Sequence, residues 1–198
     1  MKFHAMASVV VLFMISTATF SQDSKTPQVT PNSKEEQPPQ SNPLSTFNRF
    51  AYSRLKTTLV ASAEKMPEEN YNFKPTEAVR SYGQIVGHLA DAQYTFCSTA
   101  LGENNPGLKI EETKTTKAEL VAALKNALAY CDKAYDGMTD ASGAQTVKMI
   151  GMDMPKLGVL NFNNMHSMEH YGNLVTYMRL KNVVPPTSEK APTAQQNK

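Results

Sequence analysis

From Leu44 to Pro186 the apolar residues recur at three- and four-residue spacings, and nowhere in that stretch does a strand-like alternation compete with them. A chain of this kind buries its apolar stripes by laying helices side by side, which predicts an all-α fold. Breakers divide the stretch. Pro67 closes a first helix running from about Leu44 to Met66, whose stripe is Phe47, Phe50, Ala51, Leu55, Leu59 and Ser62. Glu68 to Pro75 is a connector, with Tyr71 and Phe73 expected to fold back on the bundle. A second helix is predicted over 76–101, closed by Gly102 and Pro106. Thr116-Lys117-Ala118-Glu119 spells a capping box that opens a third helix, and Gly137 ends it. Residues 143–158 are irregular, with room for a short turn or hairpin. A fourth helix runs over about 159–182 and is stopped by Pro185-Pro186.

Four helices in one core predict a four-helix bundle. The connector between the second and third helices is about a dozen residues, long for antiparallel neighbours, so it can cross the bundle instead. The two cysteines report on this choice. Cys97 and Cys131 each lie near the C-terminal end of a helix, so a bridge requires those helices to run parallel. Pairing is not readable from sequence, and two buried thiols remain the alternative.

The flanks differ in composition. Residues 1–21 read as a signal peptide: a basic Met1-Lys2, an apolar run from Ala7 to Ile15, and small side chains at Thr19 and Ser21, with cleavage expected near Ser21. The run is too short for a comfortable transmembrane helix, which needs about 20 apolar residues. Residues 22–43 and 187–198 are rich in Pro, Gln, Ser and Lys and read as a disordered linker and tail around a domain at 44–186. These features predict a protein exported to the periplasm or secreted, with an uncleaved N-terminal anchor as the alternative. The 198-residue chain has 20 basic and 18 acidic residues, scattered for a net charge of +2, so no basic stripe marks a nucleic-acid partner.

Three histidines lie outside the predicted signal. His166 and His170, four apart, share one helix face separated by about 40°. Val159, Leu174 and Tyr177 share that face, so both imidazoles point inward. His88 lies at the edge of a stripe formed by Ile85, Leu89, Ala92 and Phe96. Three neutral imidazoles with an open position suit a divalent metal: zinc, nickel or iron. Competing designs fail on spacing. A di-iron bundle needs Glu three residues before His, where Ile85, Asn163 and Ser167 stand, and a zincin helix needs Glu directly after the first His, where Ser167 stands again.

The stretch from Phe73 to Gln93 (Phe-Lys-Pro-Thr-Glu-Ala-Val-Arg-Ser-Tyr-Gly-Gln-Ile-Val-Gly-His-Leu-Ala-Asp-Ala-Gln) resembles the first histidine region of DinB-like proteins. His166-Ser-Met-Glu-His170-Tyr-Gly-Asn-Leu-Val-Thr-Tyr, with the closing Pro185-Pro186, resembles the last helix of the same family. The family shares only a name with a DNA polymerase. The resemblance spans Leu44 to Pro186 and departs from many relatives at Asn182, where they carry Gly. It implies a four-helix bundle with a long crossover, zinc or nickel held by His88, His166 and His170, and often a homodimer. Characterised members of the family include thiol-dependent transferases and isomerases. A metal with an open position can activate a thiol or water, so a metal-dependent enzyme is expected, a transferase (thiol-dependent) or hydrolase of a small-molecule substrate. A non-catalytic metal-binding or interaction bundle is the alternative, since many members have no known reaction and cytosolic thiols fit poorly with export.

Two carboxylates are candidates for catalytic or supporting roles. Glu169 stands about 60° from His166, on the other side from His170, where it can orient a ligand or act as a base, against a plain solvated role. Asp91, one turn after His88, can accept a hydrogen bond from an imidazole, against a surface role. Tyr177 and Asn163 line the pocket or pack the core. Met149, Met152, Met154, Met165 and Met168 read as gap fillers before soft-metal ligands.

Overall fold

The computed structural model describes residues 41–189. In chain order these form α1 (Pro43–Lys65), α2 (Tyr82–Leu101), a single turn α3 (Ile110–Thr113), α4 (Lys117–Asp136), a second single turn α5 (Asp140–Gly143), a hairpin of β1 (Thr146–Met149) and β2 (Met152–Pro155), and α6 (Lys156–Leu180). The fold is all-α apart from that hairpin. The predicted signal peptide, residues 22–40 of the predicted linker and residues 190–198 of the predicted tail lie outside the described residues. Among those described, no helix is long and apolar enough to cross a membrane.

Two helix starts follow from side-chain chemistry. Thr116 accepts the Glu119 N–H and Glu119 reaches back to the Thr116 N–H, the capping box expected for α4. Ser81 and Gln84 make the same reciprocal pair at the start of α2. That helix therefore begins at Tyr82, not near Thr76, because a capped end is fixed by its first donors. The preceding connector folds back on the bundle: Tyr71 is buried with its hydroxyl donating to the Ala63 carbonyl, and the Gly83 N–H donates to the Tyr71 carbonyl.

The crossover is real. Cys97 and Cys131 are disulfide-bonded with Cα atoms 5.3 Å apart, and Tyr94 stands 5.2 Å from Tyr130, centroid to centroid. Contacts therefore climb α2 and α4 in the same order, so these helices are parallel. α1 runs antiparallel to α4, since Tyr52 bonds the Leu128 carbonyl while Glu64 pairs with Lys125 further back along α4. α6 runs antiparallel to α2, as Tyr177 bonds the Arg80 carbonyl and Asn163 bonds Gln93. α1 and α2 each pack on both α4 and α6, giving an up-down-down-up bundle.

Three sequence expectations are refined. First, the stretch with room for a short turn or hairpin forms a hairpin, its strands paired from Thr146↔Pro155 to Met149↔Met152. Their turn, Ile150-Gly151, has φ of 51° and 75°, the left-handed pair that a two-residue hairpin requires. An Ile stands where Asn or Asp is usual. Second, Pro43 is the first residue of α1, and Asn42 accepts the Asp140 N–H while the Asp140 carboxylate accepts from Leu44 and Ser45. Third, residues 187–189, assigned by composition to the tail, are docked: Thr187 bonds the Tyr171 hydroxyl at 2.7 Å and Glu189 pairs with Lys65.

Asn163 belongs to the core, and Tyr177, buried as well, also lines a recess beside His170. Asn163 is fully buried and donates to Gln93 Oε1 at 2.9 Å and to the Tyr135 hydroxyl at 3.2 Å. Gln93 in turn donates to Ser167 at 2.9 Å, so a polar ladder crosses the interior beside the disulfide. These partners spare the Asn163 amide nitrogen and the Gln93 amide a desolvation cost, whereas the buried Asn163 Oδ1 has no hydrogen-bond partner among the described residues. The five methionines divide, with Met149 buried in the core and Met152, Met165 and Met168 exposed.

Candidate metal centre

The antiparallel pairing of α2 and α6 sets His88 opposite the His166–His170 face. The three imidazoles converge there: His166 Nε2 lies 3.1 Å from His88 Nε2 and 3.2 Å from His170 Nε2. One nitrogen from each ring falls within 4.8 Å of the others. All three expected site residues are thus brought together.

These spacings have a direct reading. Two nitrogens bound at about 2.0–2.1 Å to one tetrahedral ion stand about 3.3 Å apart. A neutral imidazole carries a single N–H, so a proton on His166 Nε2 serves one of its two contacts, whereas a cation serves both. The donor set of three imidazoles fits zinc, nickel or iron(II), with at least one position left for another ligand. His88, His166 and His170 are therefore residues that could hold a divalent metal.

The surroundings keep the rings in the form that ligates. Burial above all, then the neighbouring His170 and His88 rings and the Arg80 charge, push His166 down to about 4. Burial and His88 lower His170 as well. Both shifts favour the neutral form of the ring. His170 is only 8 % exposed, and Phe96 packs its ring 5.4 Å from that of His166.

The second partners of the rings differ from expectation. Asp91 does not reach an imidazole. Its carboxylate accepts the backbone N–H groups of Ile110 and Glu111, both at 2.9 Å, and so caps α3. Glu111 takes the place foreseen for Asp91: its Oε2 lies 3.1 Å from His88 Nδ1, while its Oε1 accepts from Arg80 Nε at 2.7 Å. Glu111 sits in the crossover, 23 residues from His88, and no spacing rule links the two. The Asn173 amide lies 3.4 Å from His170 Nδ1. Buried His166 Nδ1 has no hydrogen-bond partner among the described residues.

Glu169 is solvent-exposed and lines a recess of about 340 Å³ with Arg80, His170, Asn173 and Tyr177. It neighbours the site and touches no other polar group through a described hydrogen bond or ion pair. A second recess, of about 690 Å³, opens between the crossover and α2 and reaches Glu111 and Asp91 but none of the histidines.

Comparison with known proteins agrees with this architecture. A DinB-like protein of Bacillus cereus has the same fold with a TM-score of 0.63 at 14% identity, the match covering 70% of this chain and 93% of that one. A DinB-like protein of Bacillus subtilis matches with a TM-score of 0.59 at 19% identity, over 77% of this chain and 99% of that one. No curated protein is significantly similar to the chain. The family model of the DinB superfamily matches residues 51–174, most of the helical region and all three histidines. The chain therefore belongs to the DinB superfamily.

Proposed function

We propose that this protein is an exported metal-dependent enzyme, a transferase or hydrolase, in which His88, His166 and His170 hold one divalent ion, zinc or nickel. The observation that carries this reading is the pair of Nε2 separations, 3.1 and 3.2 Å, close to the edge of a tetrahedral site. A bound ion of this kind supplies Lewis acidity, lowering the pKa of a thiol or water placed in its open position.

The remaining work falls to the chain itself. Phe96 and the surrounding apolar side chains limit water at the rings. Glu169 stands at the rim, where a carboxylate in water can take up a proton from an incoming ligand. Arg80 holds positive charge in the same recess. The oxidised Cys97–Cys131 pair fits an oxidising compartment, which supports export and weighs against a cytosolic thiol as co-substrate.

A non-catalytic metal-binding bundle is the second reading, favoured by the small recess beside His170. The two are separated by turnover. Thiol-transfer and ester or amide hydrolysis substrates are screened with chelated, zinc-restored and nickel-restored protein, alongside His166→Ala. Activity that follows the metal and vanishes in His166→Ala establishes the enzyme. Stoichiometric metal without turnover on any substrate class favours the binding bundle. The intact mass of protein recovered from the periplasm tests export, with cleavage near Ser21 expected.

A further inference from the structure

We propose that Glu111 is the positioning residue of the histidine site, reaching across from the crossover to fix His88 in the one tautomer that aims Nε2 at His166. An ionised carboxylate only accepts hydrogen bonds, so the 3.1 Å contact requires the proton on His88 Nδ1. A neutral ring with that proton has its lone pair on Nε2, the atom facing His166.

Glu111 is held there from several directions. Asp91 grips the backbone N–H groups of Ile110 and Glu111, and buried Ile110 anchors the same turn in the core. Arg80 takes the other carboxylate oxygen at 2.7 Å, so the two oxygens are divided between a guanidinium and an imidazole. The backbone of the crossover also lies hard against α2. A Cβ added at Gly87 would stand 2.8 Å from Glu111 Cα and 3.0 Å from its nitrogen, so only glycine admits the turn at this depth. The Glu111 side chain is 25% exposed, unlike a freely solvated surface carboxylate.

Such outer partners orient a ligating imidazole and raise its basicity, and their removal typically weakens metal binding about 10–100-fold. His170 has only an amide near its Nδ1, and buried His166 Nδ1 has no partner, so among the described residues the carboxylate support of the site falls on His88. Glu111 acts through His88 and is not itself a catalytic residue.

The effect on metal binding rests on the metal reading above, whereas the effect on the tautomer does not. The test uses the folded chain with Glu111→Ala, Glu111→Gln and Gly87→Ala, the last displacing the crossover while leaving the carboxylate intact. The ¹⁵N shifts of the His88 ring in metal-free protein give the tautomer, and competition with a chromophoric chelator gives the zinc affinity. Wild type is expected to be Nδ1-protonated at His88, with Glu111→Ala and Gly87→Ala shifting toward Nε2–H. Zinc affinity is expected to fall about 10–100-fold in Glu111→Ala, with a smaller loss in Glu111→Gln. An Nε2–H tautomer in wild type, or Glu111→Ala binding zinc within about twofold of wild type, overturns the assignment. If wild type binds no zinc at all, the metal reading fails and the tautomer alone decides the role of Glu111.

Discussion

Removing the Cys97–Cys131 bridge is expected to cost this bundle a large part of its stability. The bridge closes a loop of 34 residues, and the loop-closure relation puts the entropy it removes from the unfolded chain at about 12.6 cal/mol/K, or about 3.8 kcal/mol at 25 °C. Both sulfurs are fully buried, so in Cys97→Ala/Cys131→Ala the lost contacts add to this figure. With a urea dependence of about 2 kcal/mol/M, typical of a domain this size, the midpoint should fall by about 2 M. The assay is equilibrium urea unfolding of the oxidised protein, of the same protein fully reduced as verified by mass, and of the double variant. Both curves should shift to lower urea, the double variant further than the reduced protein because it also loses the buried sulfur contacts, with slightly steeper slopes because the uncrosslinked unfolded chain exposes more surface. Superimposed curves for oxidised and fully reduced protein would refute the argument that the bridge stabilises the bundle by constraining its unfolded chain.

Asp140 caps α1 through the Leu44 and Ser45 N–H groups, and these hydrogen bonds hold its carboxyl below the ordinary range. Its contribution is therefore present above the unfolded value of about 3.8 and drains away as pH falls through the lower folded value, so Asp140→Asn should flatten the acid limb of a stability–pH profile. Ile150 is a β-branched residue at φ 51°, and Ile150→Asn should stabilise the protein by about 1 kcal/mol, read as a rise in urea midpoint. Tyr135→Phe removes the hydroxyl that donates to the Leu160 carbonyl and accepts from Asn163, and should cost about 1–2 kcal/mol in the same assay.

Periodicity and breakers located the four long helices because each signal lies within one helix length. The Thr116 capping box and the inward pairing of His166 with His170 are local in the same sense. Ser81-x-x-Gln84 was an equally local signal, and it marks the start of α2 better than the polar run before it. What escaped was non-local or exceptional. Glu111 meets His88 only because the crossover packs on Gly87, and Asp91, nearer in sequence, turns to the crossover backbone instead. The hairpin is legible only as room for one, and its register is not, because Ile150 occupies a left-handed turn position that its own side chain disfavours. Residues 187–189 dock through Thr187, Ser188 and Glu189, polar contacts that composition assigns to a solvated tail.

The measurement that bears most directly on the metal centre is elemental mass spectrometry of the purified chain from Gln22 onward, without a His-tag, alongside His88→Ala and His170→Ala. The geometry predicts about one zinc or nickel per chain, lost in both variants while their helical content is retained. Absence of stoichiometric metal in the wild type, even after anaerobic reconstitution with zinc, nickel, iron and manganese, would contradict the account and leave three converging imidazoles as a structural feature of the bundle.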